Sequence, residues 1–401
     1  MLALRSSDFS KLLVLNFIVS MLMGVTYSVY APYLKLHGIT ALQYGTLSSA
    51  LLFSALLSTI ISGWLCDKFG SRLILILSFI LVSLSLALLA SSNISLIYLS
   101  YIIAGLSQGS GSVSGLVLAT RLRGLDEYDR ILPYLASSST IGSGLGLFGG
   151  WIPVIISSTY DIEIINTYRL ILIVVALIVP LVSIPLIASI REDFRSKPES
   201  SGILGRNNIP WNILARLIAI NIVISLGAGM SIHLIDYYFV LKFNVSSGEL
   251  GTVLGAVNFI MGILMLLTPK LSRIIGGALR TYIIIASPSI ILLILMTLTS
   301  SYTISSIIYI ARTILMNVAN PLYQAFEVSL IPKEYRGRGV SLISIAWQIP
   351  AGIGRGIGGA LMSYNIEAPL IATSILYTLA FTMLIILFPD HILRVKSMRI
   401  M

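Results

Sequence analysis

Five ionisable side chains lie inside long apolar stretches of the sequence, where charge is rare. They are His233, Asp236, Arg312, Glu327 and Arg355. Placing such a group in hydrocarbon costs roughly 2.5–3.5 kcal/mol on insertion scales, so each is a functional candidate by default. A carboxyl group in this setting can take up and release a proton, which is the chemistry of ion coupling. We therefore treat Asp236 and Glu327 as candidate proton sites and the three basic residues as their candidate partners.

The spacing of these residues predicts which of them meet. His233 and Asp236 are three positions apart and share a helix face. The apolar stretch that holds Asp236 runs outward and the one that holds Arg312 runs inward, which places the two side chains at similar depth. We expect an Asp236–Arg312 ion pair, with Arg355 as a competing partner. The alternative is that such a pair only holds two helices together, and that His233 is a satisfied polar core residue rather than a relay.

A second candidate lies further along the stretch that contains Arg312. One helical stripe there repeats at intervals of three and four residues and consists of Arg312, Met316, Ala319, Tyr323 and Glu327. At 1.5 Å per residue its ends are about 22 Å apart, so Glu327 is expected near the cytoplasmic mouth. The alternative for Glu327 is an interfacial contact with Arg336 or Arg338.

The elements that carry these residues are membrane-spanning helices. Only 10% of the 401 residues are charged and 56% are hydrophobic, which leaves too little charge to cover a water-facing surface. A span needs about 20 mostly apolar residues. Twelve runs qualify, numbered here as spans one to twelve: Leu12–Leu34, Tyr44–Leu65, Leu73–Ala90, Ile97–Thr120, Ile131–Ser157, Leu170–Ile190, Ile213–Leu241, Glu249–Thr268, Thr281–Thr299, Ser305–Ile331, Gly339–Met362 and Pro369–Phe388. The first run is too long for a typical signal sequence, and we interpret it as a retained span.

The basic residues predict the orientation of the chain. With the N-terminus inside, 21 of the 26 Lys and Arg residues fall in cytoplasmic segments and three fall in outer loops. This asymmetry predicts a multi-pass protein of the cell membrane with cytoplasmic N- and C-termini. It also explains the net charge of +10 through orientation and contact with anionic lipid, so no nucleic-acid partner is required.

Several classes of chemistry are disfavoured by what the sequence contains. The one cysteine, Cys66, excludes an internal disulfide, and three scattered histidines without a His-Glu-x-x-His run argue against a zinc enzyme. No phosphate-binding Gly-x-x-x-x-Gly-Lys-Ser/Thr run is present, so the chain has no ATPase of its own. We expect no cofactor and no metal.

The two halves of the sequence are related by a shift of 206 positions. Gly38–Leu47 then falls on Asn244–Val253, and Gly70 falls on Gly276. The domain prediction is therefore a six-helix bundle over residues 1–190, a polar cytoplasmic linker over 191–211 and a second six-helix bundle over 212–401. Two repeats in the same orientation imply a pseudo-twofold axis along the membrane normal, with a site between the halves.

The connection between spans two and three, Gly63 to Arg72, closely resembles the signature loop of the major facilitator superfamily. That loop reads Gly-x-Leu-x-Asp-Arg/Lys-x-Gly followed by basic residues, and the matching positions here are Gly63, Asp67, Lys68, Gly70 and Arg72. Gly70 permits a tight turn and Gly63 a close helix approach, Lys68 and Arg72 anchor the loop at the inner leaflet, and Asp67 could cap a helix N-terminus. The resemblance implies that the loop latches the two halves on the cytoplasmic side, with Asp67 near Gly339.

The resemblance implies the fold and the cavity. In that family spans one, four, seven and ten line a central cavity, so the expected cavity side chains include Asn16, Tyr27, Tyr30, Gln108, Asn320 and Tyr323. Two features of the family's pattern are missing, an Arg within span four and a proline in the glycine-rich run of span five. The second departure bears on the assignment to the drug and small-solute efflux branch, because the antiporter branches of the family carry this proline in a Gly-Pro motif. We interpret the glycines at Gly142/Gly146 and Gly352/Gly356 as close-packing positions.

Together these features predict an all-α integral membrane protein that works as a secondary active transporter by alternating access. Its solute is expected to be small and amphipathic or moderately apolar, because the first half offers polar but uncharged groups. We expect proton coupling, with Na⁺ as the other candidate ion, and a monomer. The alternatives are a facilitated-diffusion uniporter or a sugar or organic-acid symporter of the same fold. An intramembrane enzyme or a channel is less consistent with the duplication and with the separation of the two acids.

Overall fold

The computed structural model describes residues 2–91, 93–123, 128–190, 211–264, 277–332 and 335–393, and all regular secondary structure in these ranges is helical. Ten helices in these ranges are long and apolar enough to cross a membrane. The predicted all-α membrane fold is confirmed. Most of the predicted linker lies outside the described residues, and so does Pro269–Gly276, the segment that the shift of 206 positions aligns with Gly63–Gly70.

Each of the six predicted spans of the first half coincides with helix. A helix satisfies its own backbone hydrogen bonds, which lipid cannot do. The bounds are Leu2–Leu36, Ala41–Phe69, Ser71–Leu89, Ile94–Arg123, Tyr128–Phe148 continued by Trp151–Tyr160, and Ile164–Ala188.

The second half follows the same order with more interruptions. Span seven consists of Trp211–Ser231, a 3₁₀ turn at Ile232–Leu234 and Ile235–Phe243. Spans eight, eleven and twelve are Ser247–Leu264, Arg336–Tyr364 and Ala368–Leu387, while span nine is Ala278–Ala286 and Pro288–Leu298 and span ten is Tyr302–Val318 and Asn320–Ser329. The break in span nine, Ser287, directly precedes Pro288, and the break in span ten, Ala319, lies two residues before Pro321. Proline lacks a backbone N–H and cannot continue the hydrogen bonds of the preceding helix. The eleventh predicted span and the described part of the eighth are helical, but neither is among the ten helices above.

The outer surfaces of the helices are apolar. Leu181 and Leu298, for example, are 73% and 75% exposed. A water-soluble protein rarely leaves large contiguous apolar surfaces open, whereas side chains that face lipid need no cover. The interior of the protein accordingly contains small and polar residues as well as apolar ones.

The chain divides into two compact units. The first contains Met1–Thr40, Leu47–Ser201 and Asn244–Phe259, and the second contains Ala41–Thr46, Gly202–Phe243 and Ile260–Met401. The units therefore exchange two segments relative to the predicted halves: the start of span two belongs to the second unit and the start of span eight to the first. The halves as independent bundles remain a prediction.

Close glycine contacts explain the exchange. In the second unit, a Cβ on Gly45 would lie 2.8 Å from Cα of Gly359, so span two crosses span eleven at backbone distance. In the first unit, a Cβ on Gly251 would overlap the carbonyl oxygen of Leu147, so span eight crosses span five in the same way. Gly45 and Gly251 are 206 positions apart, the offset of the duplication.

Glycine pairs also join spans one and five and spans seven and eleven. In the first unit, a Cβ on Gly24 would lie 3.0 Å from Cα of Gly146, and a Cβ on Gly146 would overlap Met21. This confirms close packing at Gly146. In the second unit the equivalent contacts join Gly354 to Gly229 and Gly358 to Met230, so Gly354 and Gly358 are close-packing positions of span eleven. Close packing at Gly352 and Gly356 remains a prediction.

Two turns repeat the same backbone geometry in both halves. Gly38 and its aligned partner Asn244 have φ values of 70° and 54°. Gly70 has φ 91° and ψ 144°, and Gly277 has φ 136° and ψ 144°. These positive φ values support the duplication, with Gly277 in the role that the alignment gave to Gly276. Gly276 itself lies outside the described residues.

Candidate functional site

Asp236 lies at the start of the second helix of span seven, directly after the 3₁₀ turn. Its carboxylate is fully buried. One oxygen accepts a hydrogen bond from the backbone N–H of Tyr237 at 2.8 Å, and the other accepts one from the Tyr44 hydroxyl at 2.5 Å. The helix start favours negative charge through its unpaired N–H groups and its dipole. Asp236 is therefore held as a hydrogen-bonded acid at a break in the helix.

Tyr44 reaches this acid from the start of span two, within the second unit. Its ring stacks on that of Tyr237, with centroids 4.2 Å apart and an interplanar angle of 11°. Sequence analysis did not select Tyr44. In the sequence Tyr44 is only a tyrosine at the start of a predicted span, and this position does not indicate which residue it contacts.

Arg312 is buried with 1% of its surface exposed. Its guanidinium donates a hydrogen bond to the Tyr377 hydroxyl at 3.5 Å and lies 5.7 Å from the centre of that ring. The expected Asp236–Arg312 ion pair is wrong, since Arg312 contacts span twelve instead. His233 and Arg355 are half-buried, and His233 is within electrostatic reach of both arginines.

Glu327 lies on the buried side of span ten. Its carboxylate accepts a hydrogen bond from the Asn221 amide at 2.5 Å and is also hydrogen-bonded to the Tyr323 hydroxyl. The side chain is 5% exposed. In the described part of the chain it forms no ion pair, so the expected alternative contact with Arg338 is absent, and the Arg336 side chain lies outside the described residues.

An aromatic cluster lies between Glu327 and Arg312. The Tyr282 ring stacks on Tyr323 at 4.8 Å and on Phe381 at 5.4 Å between centroids. Tyr282 is within electrostatic range of both Glu327 and Arg312. Tyr323, an expected cavity residue, is therefore part of a buried core.

The other expected cavity residues have varied surroundings. Tyr27 is 42% exposed, and its ring meets that of half-buried Tyr30 edge-on at 6.2 Å. Gln108 is exposed on span four. The Asn16 amide donates to the Leu135 carbonyl at 2.9 Å and the Asn320 amide to Asn317 at 3.0 Å, so both have structural partners. Their role in binding a solute remains a prediction.

The signature loop differs from expectation at two of its positions. The tight turn at Gly70 is confirmed by its positive φ. Gly63 does not permit a close approach, because no described atom lies within 4 Å of where its Cβ would be. Asp67 does not cap the following helix, which has no side-chain cap. It is exposed and lies 3.7 Å from Arg121 on span four.

The basic residues of this loop contact its own unit. Lys68 lies 4.9 Å from the ring centre of Trp64 and 5.2 Å from that of Phe69, both exposed. Arg72 donates to the Ala188 carbonyl at 2.8 Å. The latch between Asp67 and the region of Gly339 remains a prediction.

These features define a class: a helical, internally duplicated membrane protein with two buried acids and a buried arginine in its second half. A sequence model of the Major Facilitator Superfamily matches residues 12–355, and the chain belongs to that family. It is a multi-pass membrane transporter and not an enzyme.

Among curated proteins, the chain is similar to the quinolone resistance protein NorA of Staphylococcus aureus. The two are 29% identical over 137 residues, which is 33% of this chain and 35% of that protein. The similarity thus spans about a third of the relative's length.

Several solved structures share the fold. A bacterial homologue of the lysosomal transporter Spinster has a TM-score of 0.70 at 16% identity, with 97% of this chain and 96% of that one covered. The nucleoside transporter NupG has a TM-score of 0.73 at 13% identity, with 95% and 99% covered. A D-xylose-proton symporter has a TM-score of 0.70 at 13% identity, with 98% and 99% covered. At these identities the likeness concerns the fold alone.

Proposed function

We propose that this transporter exports a small amphipathic solute in exchange for protons, and that Glu327 is the group that binds the proton. The observation that carries the proposal is the burial of Glu327 with an amide and a phenol as its hydrogen-bond partners and no ion pair among the described residues. A carboxylate in this setting lacks a counter-ion, whereas the protonated acid does not need one. Alternating access would expose the group first to one side of the membrane and then to the other.

Asp236 has a different role in this proposal. Its two oxygens accept hydrogen bonds from Tyr44 and from the backbone of Tyr237 at a helix start. These donors stabilise the charged form without a change of protonation. We therefore assign Asp236 to holding spans two and seven together, and proton binding to Glu327.

The direction of transport and the type of solute rest on other observations. The quinolone resistance protein that is similar over part of the chain suggests efflux and an amphipathic aromatic solute. The exposed Tyr27 and Gln108 supply aromatic and polar contacts without charge. We further propose that the protein acts as a monomer in the cell membrane with both termini in the cytoplasm.

Transport of a fluorescent quinolone into proteoliposomes tests the coupling. A pH gradient should drive uphill accumulation by the wild-type protein in Na⁺-free buffer. Glu327→Gln should abolish this accumulation but retain quinolone exchange between equal pools, because exchange does not require net proton movement. Asp236→Asn, the matched control acid, should retain both activities.

Other outcomes would contradict the proposal. Accumulation that persists in Glu327→Gln would exclude Glu327 as the proton site. Exchange without any gradient-driven accumulation in the wild type would indicate a uniporter, and accumulation that requires Na⁺ would indicate the other ion.

A further inference from the structure

We propose that Asn221 is a positioning residue for Glu327, and that its amide, held as a hydrogen-bond donor, sets the pH at which Glu327 binds its proton. The proposal rests on the transport function proposed above and concerns the regulation of the same site. Its basis is the hydrogen-bond geometry of three side chains in the second unit: Asn221 on span seven, and Tyr323 and Glu327 on span ten.

The orientation of the Asn221 amide is fixed by a backbone acceptor. Its Nδ2 group donates to the Leu217 carbonyl, one turn back on span seven, at 2.9 Å. A carbonyl oxygen can only accept, so the oxygen end of the amide could not take this place without repulsion. The same Nδ2 group donates to Oε1 of Glu327 at 2.5 Å. Asn221 therefore presents N–H rather than C=O to the carboxyl group of Glu327.

This hydrogen bond is shielded from water. Asn221 is 3% exposed, and Glu327 and Tyr323 are each 5% exposed. The Tyr282 ring of span nine stacks on Tyr323 with 4.8 Å between centroids. Hydrogen bonds to an ionised group are the strong ones, and they are stronger in an interior of low dielectric than in water. Removal of the Asn221 donor should therefore change the energy of the charged form of Glu327 substantially.

The arrangement can serve both protonation states of Glu327. The charged carboxylate accepts the N–H of Asn221 and the O–H of Tyr323. In the protonated acid, the carbonyl oxygen can still accept from Asn221, while the new O–H can donate to the hydroxyl oxygen of Tyr323, which is both a donor and an acceptor. Asn221 is thus the fixed donor and Tyr323 the reversible partner, and a fixed donor favours the charged form.

Other ionisable side chains lie on the elements around this site. They are Arg216 on span seven, Arg280 and Tyr282 on span nine, Arg312 on span ten and Arg338 on span eleven. None of the four arginines forms an ion pair with Glu327 in the part of the chain that the structure describes. The donors that the structure records for its carboxylate are neutral, which leaves the Asn221 amide as the fixed influence on proton binding.

Infrared difference spectroscopy of the purified protein measures the protonation of Glu327 directly. The absorption of protonated carboxyl groups is followed as the pH is varied, and the spectrum of Glu327→Gln is subtracted to isolate this one acid. Asn221→Leu has a similar volume and no donor. We expect it to move the midpoint of the titration to higher pH by about one to two units, the worth of one hydrogen bond to a charged group.

Ser225→Ala is the matched control for a purely structural role. Ser225 is fully buried one turn further along span seven, and its hydroxyl donates to the Ile222 and Ala346 carbonyls at 3.3 and 3.4 Å, not to an acid. We expect this variant to lose thermal stability without any change in the midpoint. If Asn221 acted in packing alone, Asn221→Leu would behave in the same way.

A second variant keeps the outcome decisive if Asn221→Leu does not fold. Asn221→Asp keeps the shape of the side chain and places a second acid beside Glu327. Two neighbouring carboxylates repel each other, so the pair should retain a proton at higher pH than Glu327 does in the wild type. The reference spectrum in this case is that of Asn221→Asp combined with Glu327→Gln.

The failure of this proposal is distinguishable from the failure of the proposed function. An unchanged midpoint in the variant that folds, or a midpoint at lower pH, would overturn the role of Asn221 and leave Glu327 as the proton site. Gradient-driven accumulation of quinolone that persists in Glu327→Gln would instead overturn the proposed function, whatever the midpoint of the Asn221 variants.

Discussion

Asp236, Arg312 and Glu327 show three ways of burying an ionisable side chain in one unit. Asp236 is held by a phenol and a helix start, Arg312 by an aromatic ring, and Glu327 by an amide and a phenol. The carboxylates of Asp236 and Glu327 each accept two hydrogen bonds, and the Arg312 guanidinium donates one to Tyr377. Neither Glu327 nor Arg312 forms an ion pair within the described part of the chain, and we assign proton binding to Glu327.

At the residue scale, the Tyr44–Asp236 hydrogen bond should contribute to stability. Tyr44→Phe removes the donor and leaves a fully buried carboxylate oxygen with one partner fewer, which should cost about 1–3 kcal/mol. We expect a lower melting temperature in detergent. The control is Tyr134→Phe, because Tyr134 is an exposed tyrosine of span five. Equal melting temperatures for the two variants would show that the hydrogen bond does not stabilise the fold.

The sequence indicated which acids are candidates for burial in the membrane but not what they contact. The cost of burying charge identified Asp236 and Glu327 without knowledge of the fold. It could not identify Tyr44 or Asn221, because each lies more than 100 positions from the acid it contacts. It also paired Arg312 with Asp236 from depth alone, whereas the rotation of span ten directs Arg312 to Tyr377.

At the element scale, glycines set the distance between helices. Spans one and five cross at Gly24 and Gly146, and spans seven and eleven at Gly229 and Gly354. Lipid gives helices little hydrophobic reason to associate, so close backbone contact supplies much of the attraction. The same device joins Gly45 of span two to Gly359 of span eleven.

Gly146→Ala tests this packing. The new Cβ would overlap the Met21 carbonyl and force spans one and five apart, at a cost of about 1–3 kcal/mol. Gly115→Ala is the matched control: Gly115 is also a helical glycine, and no described atom lies within 4 Å of its Cβ position. We expect a clear loss of thermal stability for Gly146→Ala and none for Gly115→Ala. A similar effect of both would contradict the role of the crossing.

Glycine spacing predicted the first crossing but did not select Gly354 and Gly358 for the second. In span five, Gly142 and Gly146 were selected correctly, since a Cβ on either would overlap the backbone of span one. Span eleven contains Gly352, Gly354, Gly356, Gly358 and Gly359, so several faces satisfy the same spacing. A shift of two residues turns a helix by about 200°, and only the packed structure decides which face meets span seven.

At the scale of the whole molecule, the distribution of Lys and Arg predicts cytoplasmic termini. A cysteine at Tyr364, between spans eleven and twelve, should then react with an impermeant maleimide added to intact cells. A cysteine at Phe69, between spans two and three, should react only after permeabilisation. Both side chains are exposed, and the native Cys66 is buried and should remain unlabelled. The reverse pattern would invert the proposed topology.

Proton movement that depends on the solute is the most direct test of the account. Proteoliposomes that contain a pH-sensitive dye should show proton flux across the membrane when a quinolone is added outside, and the flux should saturate with quinolone concentration. The same measurement on Glu327→Gln should show no flux, while Asp236→Asn retains it. Undiminished flux in Glu327→Gln, or quinolone transport by the wild type without any proton flux, would contradict a proton-coupled carrier that operates through Glu327.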